Sequence, residues 1–220
     1  MSAFLAPIHT WVFSKILLAE DLELKLKKVY IDKYGDNAKD VIEKSLAYGS
    51  PIDTSKSIED IIDVSNIHGW LSDKIEKVET RIAFIITEMI KKNGKEAEVI
   101  AHECFIKQGK TVGEMSRAKE MPRSPEEVFN ALNNYLLEGM PCDRVTRPIK
   151  SEEDIFEWET TSCIHKIYWE TVNGDVNIFY NLRHEWTKAF VENSNDGYTY
   201  NFIKAIDHNG IIGVNQIIRK

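Results

Sequence analysis

The period of the apolar residues changes near Gly139, and this change limits the folds open to the chain. Before Gly139, apolar residues recur every three or four positions, which is the period of helices that bury one face. After it, short segments alternate between apolar and polar residues, as strands do, and two more helical segments lie among them. We therefore predict an α+β fold, in which a helical part, residues 1–140, packs with a small, mainly antiparallel sheet in a β-α-α-β-β part, residues 141–220.

The chain is long enough to bury a large core in one domain. It has 220 residues, of which 43% are hydrophobic and 29% are charged, as in ordinary globular proteins. No linker rich in glycine, serine or proline separates the two parts, so we predict a single domain, residues 1–220. Two domains that divide near Gly139 are the alternative.

Local signals set the predicted element boundaries. Ser124, Pro125 and Glu127 have the spacing of a helix start. The stretch from Gly109 to Arg123 has no clear period, and we interpret it as a long loop of the kind that often borders a site. The predicted helices include residues 11–34, 95–108, 124–137, 163–171 and 175–192, and a central core helix that opens at Ser72 or Asp73. The predicted strands are residues 144–147 and 155–161, and a hairpin of residues 198–206 and 211–218 that turns at Asp207-His208-Asn209-Gly210.

Composition and motifs argue against several classes of function. The net charge of -7 repels phosphate backbones, so we predict no nucleic-acid partner. The apolar runs are far shorter than the roughly 18 to 20 residues of a membrane span, and the start of the chain lacks the pattern of a secretory signal. Three cysteines without a close pair fit a reducing compartment, so we predict a cytoplasmic protein with no membrane partner. The usual nucleotide, zinc-protease, serine-hydrolase and calcium motifs are missing, so we predict no metal site and leave the cofactor unknown.

The segment Thr161–His165, where a strand gives way to a helix, is the first candidate for chemistry. If Ser162 caps that helix, Cys163 is its first residue, and the positive end of the helix dipole lowers the pKa of the thiol. That environment favours a reactive thiolate, and His165 follows two residues later. The alternative is that Cys163 is a small core residue, since free cysteines are among the most buried residue types.

The long late helix carries the second candidate. Leu182, Trp186 and Phe190 mark its buried face, so Arg183 and His184 lie off the centre of that face. An arginine at such a place can hold a carboxylate, and a histidine can act as a general base, although both can also be plain surface residues. The aromatic residues of this half predict a small-molecule pocket between the helices and the sheet. The aromatic candidates for ligand contact are Trp186, Tyr168 and Tyr180.

Four features occur in the same order as in a known family. They are a helix containing Lys33-Tyr34-Gly35-Asp36-Asn37-Ala38, a strand leading into Thr161-Ser162-Cys163, a helix carrying Leu182 to Phe190, and a terminal hairpin entered through Phe202-Ile203-Lys204. In these features the chain resembles the L-2-amino-thiazoline-4-carboxylic acid hydrolase-like family of small bacterial proteins. The resemblance implies hydrolysis of a carbon–nitrogen bond in a small carboxylated cyclic amidine. In this chain it implies that Cys163 attacks the ring carbon or positions water, that His165 or His184 moves protons, and that Arg183 anchors the carboxylate.

Departures from the family pattern keep other functions open. The family carries further cysteines where this chain has Arg183-His184-Glu185 and Asn209-Gly210. Their absence favours a non-catalytic small-molecule binder or sensor on the same fold, so whether the protein is an enzyme stays open. A third alternative is an interaction protein or homo-oligomer, suggested by the two-sided helical half and by the edge of the terminal hairpin.

Overall fold

A computed structural model of the chain describes residues 6–204 and 213–220. Its helices are α1 (Pro7–Tyr34), α2 (Asp36–Ser45), α3 (Ile58–Ile61), α4 (Ile67–Asn93), α5 (Lys95–Lys119), α6 (Pro125–Asn133), α7 (Lys166–Thr171) and α8 (Val176–Ser194). Its strands are β1 (Thr146–Ser151), β2 (Ile155–Thr160), β3 (Tyr198–Lys204) and β4 (Gly213–Arg219). The predicted α+β fold is confirmed, with a small antiparallel sheet in the C-terminal part of the chain.

The chain divides into two compact units, and each contains two separate stretches of sequence. Unit 1 comprises Met1–Ala101 and Ile167–Asp175, and unit 2 comprises His102–Lys166 and Val176–Lys220. The single domain stays a prediction.

Unit 1 is helical, and α1 and α4 form its main contact. Both helices bury one apolar face, because their apolar residues follow the helical period. The most deeply buried apolar side chains on these two helices are Val12, Ile16, Leu26, Tyr30, Leu71, Val78, Ile85, Ile86 and Met89. Two charged residues, Arg81 of α4 and Glu23 of α1, are also deeply buried there.

Unit 2 is built on a sheet with the strand order β1-β2-β4-β3, in which every neighbouring pair is antiparallel. The predicted terminal hairpin is confirmed as a pairing of β3 with β4, with Phe202 opposite Asn215. Its predicted turn, Asp207-His208-Asn209-Gly210, lies outside the described residues. Helices α6 and α8 contact the sheet, and the side chains of Phe156, Trp158, Tyr200 and Ile217 are buried on it.

The predicted loop from Gly109 to Arg123 is wrong, because α5 continues through both of its glycines to Lys119. A Cβ atom on Gly109 would lie 2.4 Å from the carbonyl oxygen of Trp186 on α8. On Gly113 it would lie 2.5 Å from the carbonyl oxygen of Phe190. The two glycines therefore do not break a helix here; they let the backbones of α5 and α8 approach each other closely.

Four other boundaries differ from the prediction. Helix α4 begins at Ile67 instead of Ser72 or Asp73, because the Asn66 side chain accepts a hydrogen bond from the Gly69 amide and caps the helix. Helix α7 begins at Lys166, three residues after Cys163. Strand β1 begins two residues later than predicted, at Thr146, and extends to Ser151. The predicted start at Ser124 is confirmed, since its side chain accepts from the Glu127 amide, although α6 ends at Asn133 instead of Leu137.

Among the residues that the structure describes, no helix is long and apolar enough to cross a membrane.

Candidate functional site

Unit 2 contains a pocket between α6, α8 and the buried face of the sheet. Its polar lining includes Glu138, Tyr180, Arg183, His184, Tyr200 and Asn215. The empty space amounts to about 500 Å³ when the open mouth is included, but the interior is narrow and holds only about one or two water molecules. A pocket of this kind selects for small or planar ligands.

Helix α8 supplies three of the polar side chains. Tyr180, Arg183 and His184 are spaced by three and four residues, so they lie on one face of the helix. The rings of Tyr180 and His184 are nearly parallel, with centroids 6.3 Å apart. On the far side of His184, the ring of Phe202 stacks against it at 3.8 Å. These contacts fix the orientation of the imidazole.

A charged pair lies beside these aromatic rings. The Arg183 guanidinium donates to the Glu138 carboxylate through Nη2 and to the carbonyl oxygen of Leu137 through Nη1, at 3.2 Å. The buried His165 imidazole places Nε2 3.5 Å from Arg183 Nη1 and 3.7 Å from a Glu138 carboxylate oxygen. Since the arginine is already paired, a ligand carboxylate would have to share it with Glu138.

A chain of hydrogen bonds sets the tautomer of His184. The side-chain amide of Asn215 donates from Nδ2 to the Thr160 hydroxyl at 3.2 Å, and the same nitrogen faces the Trp158 carbonyl at 3.5 Å. Its Oδ1 therefore accepts, and it receives a hydrogen bond from the Tyr200 hydroxyl at 2.6 Å. The Tyr200 hydroxyl has thereby used its proton and accepts from His184 Nδ1 at 2.8 Å. The proton of the neutral imidazole is therefore on Nδ1, and Nε2 carries a free lone pair.

The surroundings keep His184 neutral and the two tyrosines protonated. Burial lowers the pKa of His184 to about 4, and the positive charge of Arg183 adds to this effect. Burial raises the pKa of Tyr180, and the neighbouring Cys163 thiol raises it further. Burial likewise raises the pKa of Tyr200. At neutral pH the pocket thus presents a hydroxyl donor at Tyr180 and an imidazole acceptor at His184.

By hydrogen-bond geometry, neither of these two groups has a partner among the residues that the structure describes, although the Cys163 thiol lies close to the Tyr180 hydroxyl. Tyr180 Oη and His184 Nε2 are both buried, and neither forms a hydrogen bond with any residue that the structure describes. Leaving a buried polar atom without a hydrogen bond costs about 1 to 3 kcal/mol. Two such atoms of opposite hydrogen-bonding character in one pocket indicate that something else binds there, either ordered water or a ligand.

The structure brings together five of the seven residues predicted from sequence. Tyr180, Arg183 and His184 line the pocket, His165 contacts the Arg183–Glu138 pair, and Cys163 is half-buried next to Tyr180. The helix start predicted at Cys163 is wrong, because residues 161–165 precede α7 and no helix dipole acts on the thiol from that position.

The other two predicted contact residues are placed elsewhere. Trp186 is buried, and its indole N–H donates to Gln108 of α5 at 3.1 Å, so its polar group is already used. Tyr168 lies in α7, within unit 1. Neither lines the pocket of unit 2, and their contact with a ligand stays a prediction.

Sequence reasoning missed Glu138 and Asn215. The sequence pattern did point to Asn215, because alternate residues of a strand face the same side and Asn215 shares the buried side of β4 with Gly213 and Ile217. A polar residue at such a position needs a buried partner, which here is Tyr200. Glu138 follows a helix in a short turn and gives no comparable local signal.

No group of three or more His, Cys, Asp or Glu side chains able to hold a metal ion occurs in residues 6–204 and 213–220. Comparison of the chain with protein-family models, with curated proteins and with solved structures finds no match.

Proposed function

We propose that unit 2 binds a small polar molecule in the pocket lined by Tyr180, Arg183 and His184. The observation that carries the proposal is the pair of buried atoms without a hydrogen bond, Tyr180 Oη and His184 Nε2, on one wall of the pocket. A ligand that accepts from the hydroxyl and donates to the imidazole satisfies both atoms. Since the interior holds only about one or two water molecules, a ring-shaped ligand would occupy the open mouth and place its polar edge in the interior.

The charges beside these atoms add a preference for the ligand class. Glu138 attracts a cationic group such as an amidinium, and Arg183 attracts a carboxylate. A carboxylated cyclic amidine carries both charges, N–H donors for His184 and acceptors for Tyr180. It is also the ligand class that the family resemblance implies, so we propose it as the first class to test.

The binding proposal predicts that Tyr180→Phe lowers the affinity for the ligand by about tenfold, since a hydrogen bond of this kind contributes about 1 to 1.5 kcal/mol to binding. The matched control is Tyr135→Phe, which removes a hydroxyl that bonds Glu120 instead of facing the pocket. Isothermal titration calorimetry with small carboxylated cyclic amidines measures both affinities. A ligand specific to the native state also raises the apparent melting temperature.

Two results would contradict this proposal. One is the absence of saturable binding by the wild-type chain. The other is an equal affinity for the wild-type chain and Tyr180→Phe, because the ligand would then bind elsewhere.

Hydrolysis of such a ligand is the second candidate function, favoured by the position of Cys163 beside the Tyr180 hydroxyl. In this reaction water is added across the carbon–nitrogen bond of the ring, with the thiol as nucleophile or as the group that positions water. We favour His165 over His184 for moving protons, since His184 with a pKa of about 4 is a weak base at neutral pH. The geometry supports binding more directly than turnover.

A turnover assay separates the hydrolase from the binder. The hydrolase predicts ring-opened product from the wild-type chain and loss of at least about a hundredfold in rate for Cys163→Ala, with binding retained. Cys142→Ala is the control, since Cys142 is exposed and lies outside the pocket. Binding without product would leave the non-catalytic binder or sensor as the function.

Composition and charge support two further proposals, a cytoplasmic location and the absence of a nucleic-acid partner. The two-sided helical half and the edge of the terminal hairpin support a third, self-association into a homo-oligomer. Light scattering at several protein concentrations tests the last of these.

A further inference from the structure

Two histidines meet at the beginnings of α1 and α4 in unit 1. His9 is the third residue of α1, and His68 is the second residue of α4. Their Nε2 atoms lie 3.1 Å apart, and their rings meet edge to face, with centroids 5.1 Å apart. The pair is separated by 59 positions in the sequence, so tertiary packing alone brings it together.

The separation of the two nitrogen atoms matches that of two imidazole ligands on one metal ion. Zinc binds imidazole nitrogen at about 2.0 to 2.1 Å with tetrahedral angles, which places two such nitrogen atoms about 3.3 Å apart. The cis positions of a square-planar copper or nickel ion place them somewhat closer. The observed 3.1 Å lies within a few tenths of an ångström of both geometries.

In both rings Nε2 is the nitrogen atom that faces the other histidine and can bind a shared metal ion. His9 Nδ1 is buried and forms no hydrogen bond with the described part of the chain, so a metal ion reaches this ring only through Nε2. His68 is exposed, which leaves one side of the pair open to solvent. Water molecules can therefore complete a coordination sphere that the protein begins with two nitrogen ligands.

We propose that His9 Nε2 and His68 Nε2 form a binding site for a divalent late transition metal, with zinc, nickel and copper as the class. Imidazole suits these ions, and the affinity of a nitrogen site rises from nickel to copper. Without metal, one ring donates its Nε2 proton to the other. On binding, that ring carries the proton on Nδ1 instead, and the metal lies to one side of the line that joins the two nitrogen atoms, at about 2.0 to 2.1 Å from each.

The test is isothermal titration calorimetry of the full chain with Zn²⁺ and with Ni²⁺. The proposal predicts saturable binding of one ion, weakened by at least about tenfold in His9→Gln and in His68→Gln, since loss of even an outer partner of a metal ligand costs that much. His102→Gln is the matched control and keeps the wild-type affinity. Mg²⁺, which prefers oxygen ligands, shows no such binding.

A second readout follows from the position of the pair. A metal that joins the first turns of α1 and α4 binds only the folded chain, so Zn²⁺ should raise the apparent melting temperature of the wild-type chain and not that of His68→Gln. His68 is exposed, so this variant keeps its fold even if His9→Gln does not.

Absence of saturable binding overturns the proposal. So does binding that both glutamine variants retain, or binding that His102→Gln loses. The site is independent of the pocket in unit 2, so its failure leaves the proposed function unaffected.

Discussion

Replacement of Arg81 by methionine should lower the free energy of unfolding by about 3 kcal/mol, the lower end of the cost of breaking a buried ion pair, because Lys27 still pairs with Glu23 in the variant. Arg81 is 0% exposed, and its Nε and Nη2 atoms both donate to Glu23, which is 1% exposed. Its Nη2 also donates to Glu20 at 2.7 Å, and its Nη1 to the carbonyl oxygen of Gly49 at 3.3 Å. Methionine fills much of the same volume as arginine, so most of the lost stability should come from the missing guanidinium charge and its hydrogen bonds.

A second variant separates the charge from the packing. In Arg81→Met/Glu23→Leu both members of the most buried pair become apolar, and such replacements are often neutral or stabilising. The double variant should therefore regain part of the stability lost in the single one; Glu20 and Lys27 keep charges whose partners are gone, which limits the gain. Denaturation in guanidinium chloride followed by circular dichroism measures both. If the double variant is as unstable as Arg81→Met, the loss comes from packing and not from an unpaired carboxylate.

The apolar pattern of α4 indicates that Arg81 is buried, but it does not indicate which residues pair with it. Arg81 stands three residues after Val78 and four before Ile85, within the apolar face that predicted this helix. A charged residue on such a face must find a buried partner. Glu23 and Glu20 lie 58 and 61 positions away, and only the packing of α1 against α4 shows which acidic residues those partners are.

Elements with strong local signals were predicted closely. Helix α8 was expected at residues 175–192 and spans Val176–Ser194, and the Ser124 cap forms as its spacing indicated. The glycines of α5 show why other elements were not. In the sequence Gly109 looks like a helix end, but in the fold it allows the backbone of α8 to approach at a distance that no side chain permits. The need for glycine at this position comes from the packing of α8, so the sequence around Gly109 does not indicate it.

The same distinction applies to the candidate site. Arg183 and His184 were predicted because they lie off the centre of the buried face of one helix, and Tyr180 because it is one of the aromatic residues of this half. In the structure Tyr180 lies one turn before them on the same helix. Glu138, Tyr200 and Asn215 come from other elements, and they determine the charge of the pocket and the tautomer of His184. The sequence therefore indicated which groups can do chemistry, but not which of their hydrogen-bonding positions are already occupied.

His184 should make the protein less stable in mild acid, by up to about 3 kcal/mol between pH 6.5 and pH 4. Above pH 6.5 the imidazole is neutral in both the folded and the unfolded chain and contributes no dependence on pH. Between pH 6.5 and the folded pKa of about 4, the unfolded chain binds a proton that the folded chain does not. The free energy of unfolding therefore falls as the pH falls, and below pH 4 this contribution stops changing.

The variant His184→Asn isolates this effect. An asparagine amide can still donate to the Tyr200 hydroxyl, but it does not titrate. Glu138 and Arg183, the charged groups that influence the pKa of His184, are present in both proteins. The difference in unfolding free energy between His184→Asn and the wild-type chain should stay constant above pH 6.5 and then move in favour of the variant towards pH 4.

Chemical denaturation at half-unit steps from pH 4 to pH 8 measures that difference. Parallel curves for the two proteins would mean that His184 is not desolvated in the folded chain, and Nε2 would then not be a buried acceptor. A ligand that donates to Nε2 stabilises the neutral imidazole further, so it should hold the pKa of His184 at or below its value in the free protein. Binding at the proposed pocket is therefore expected to remain strong down to about pH 5, where a surface histidine would already carry a charge.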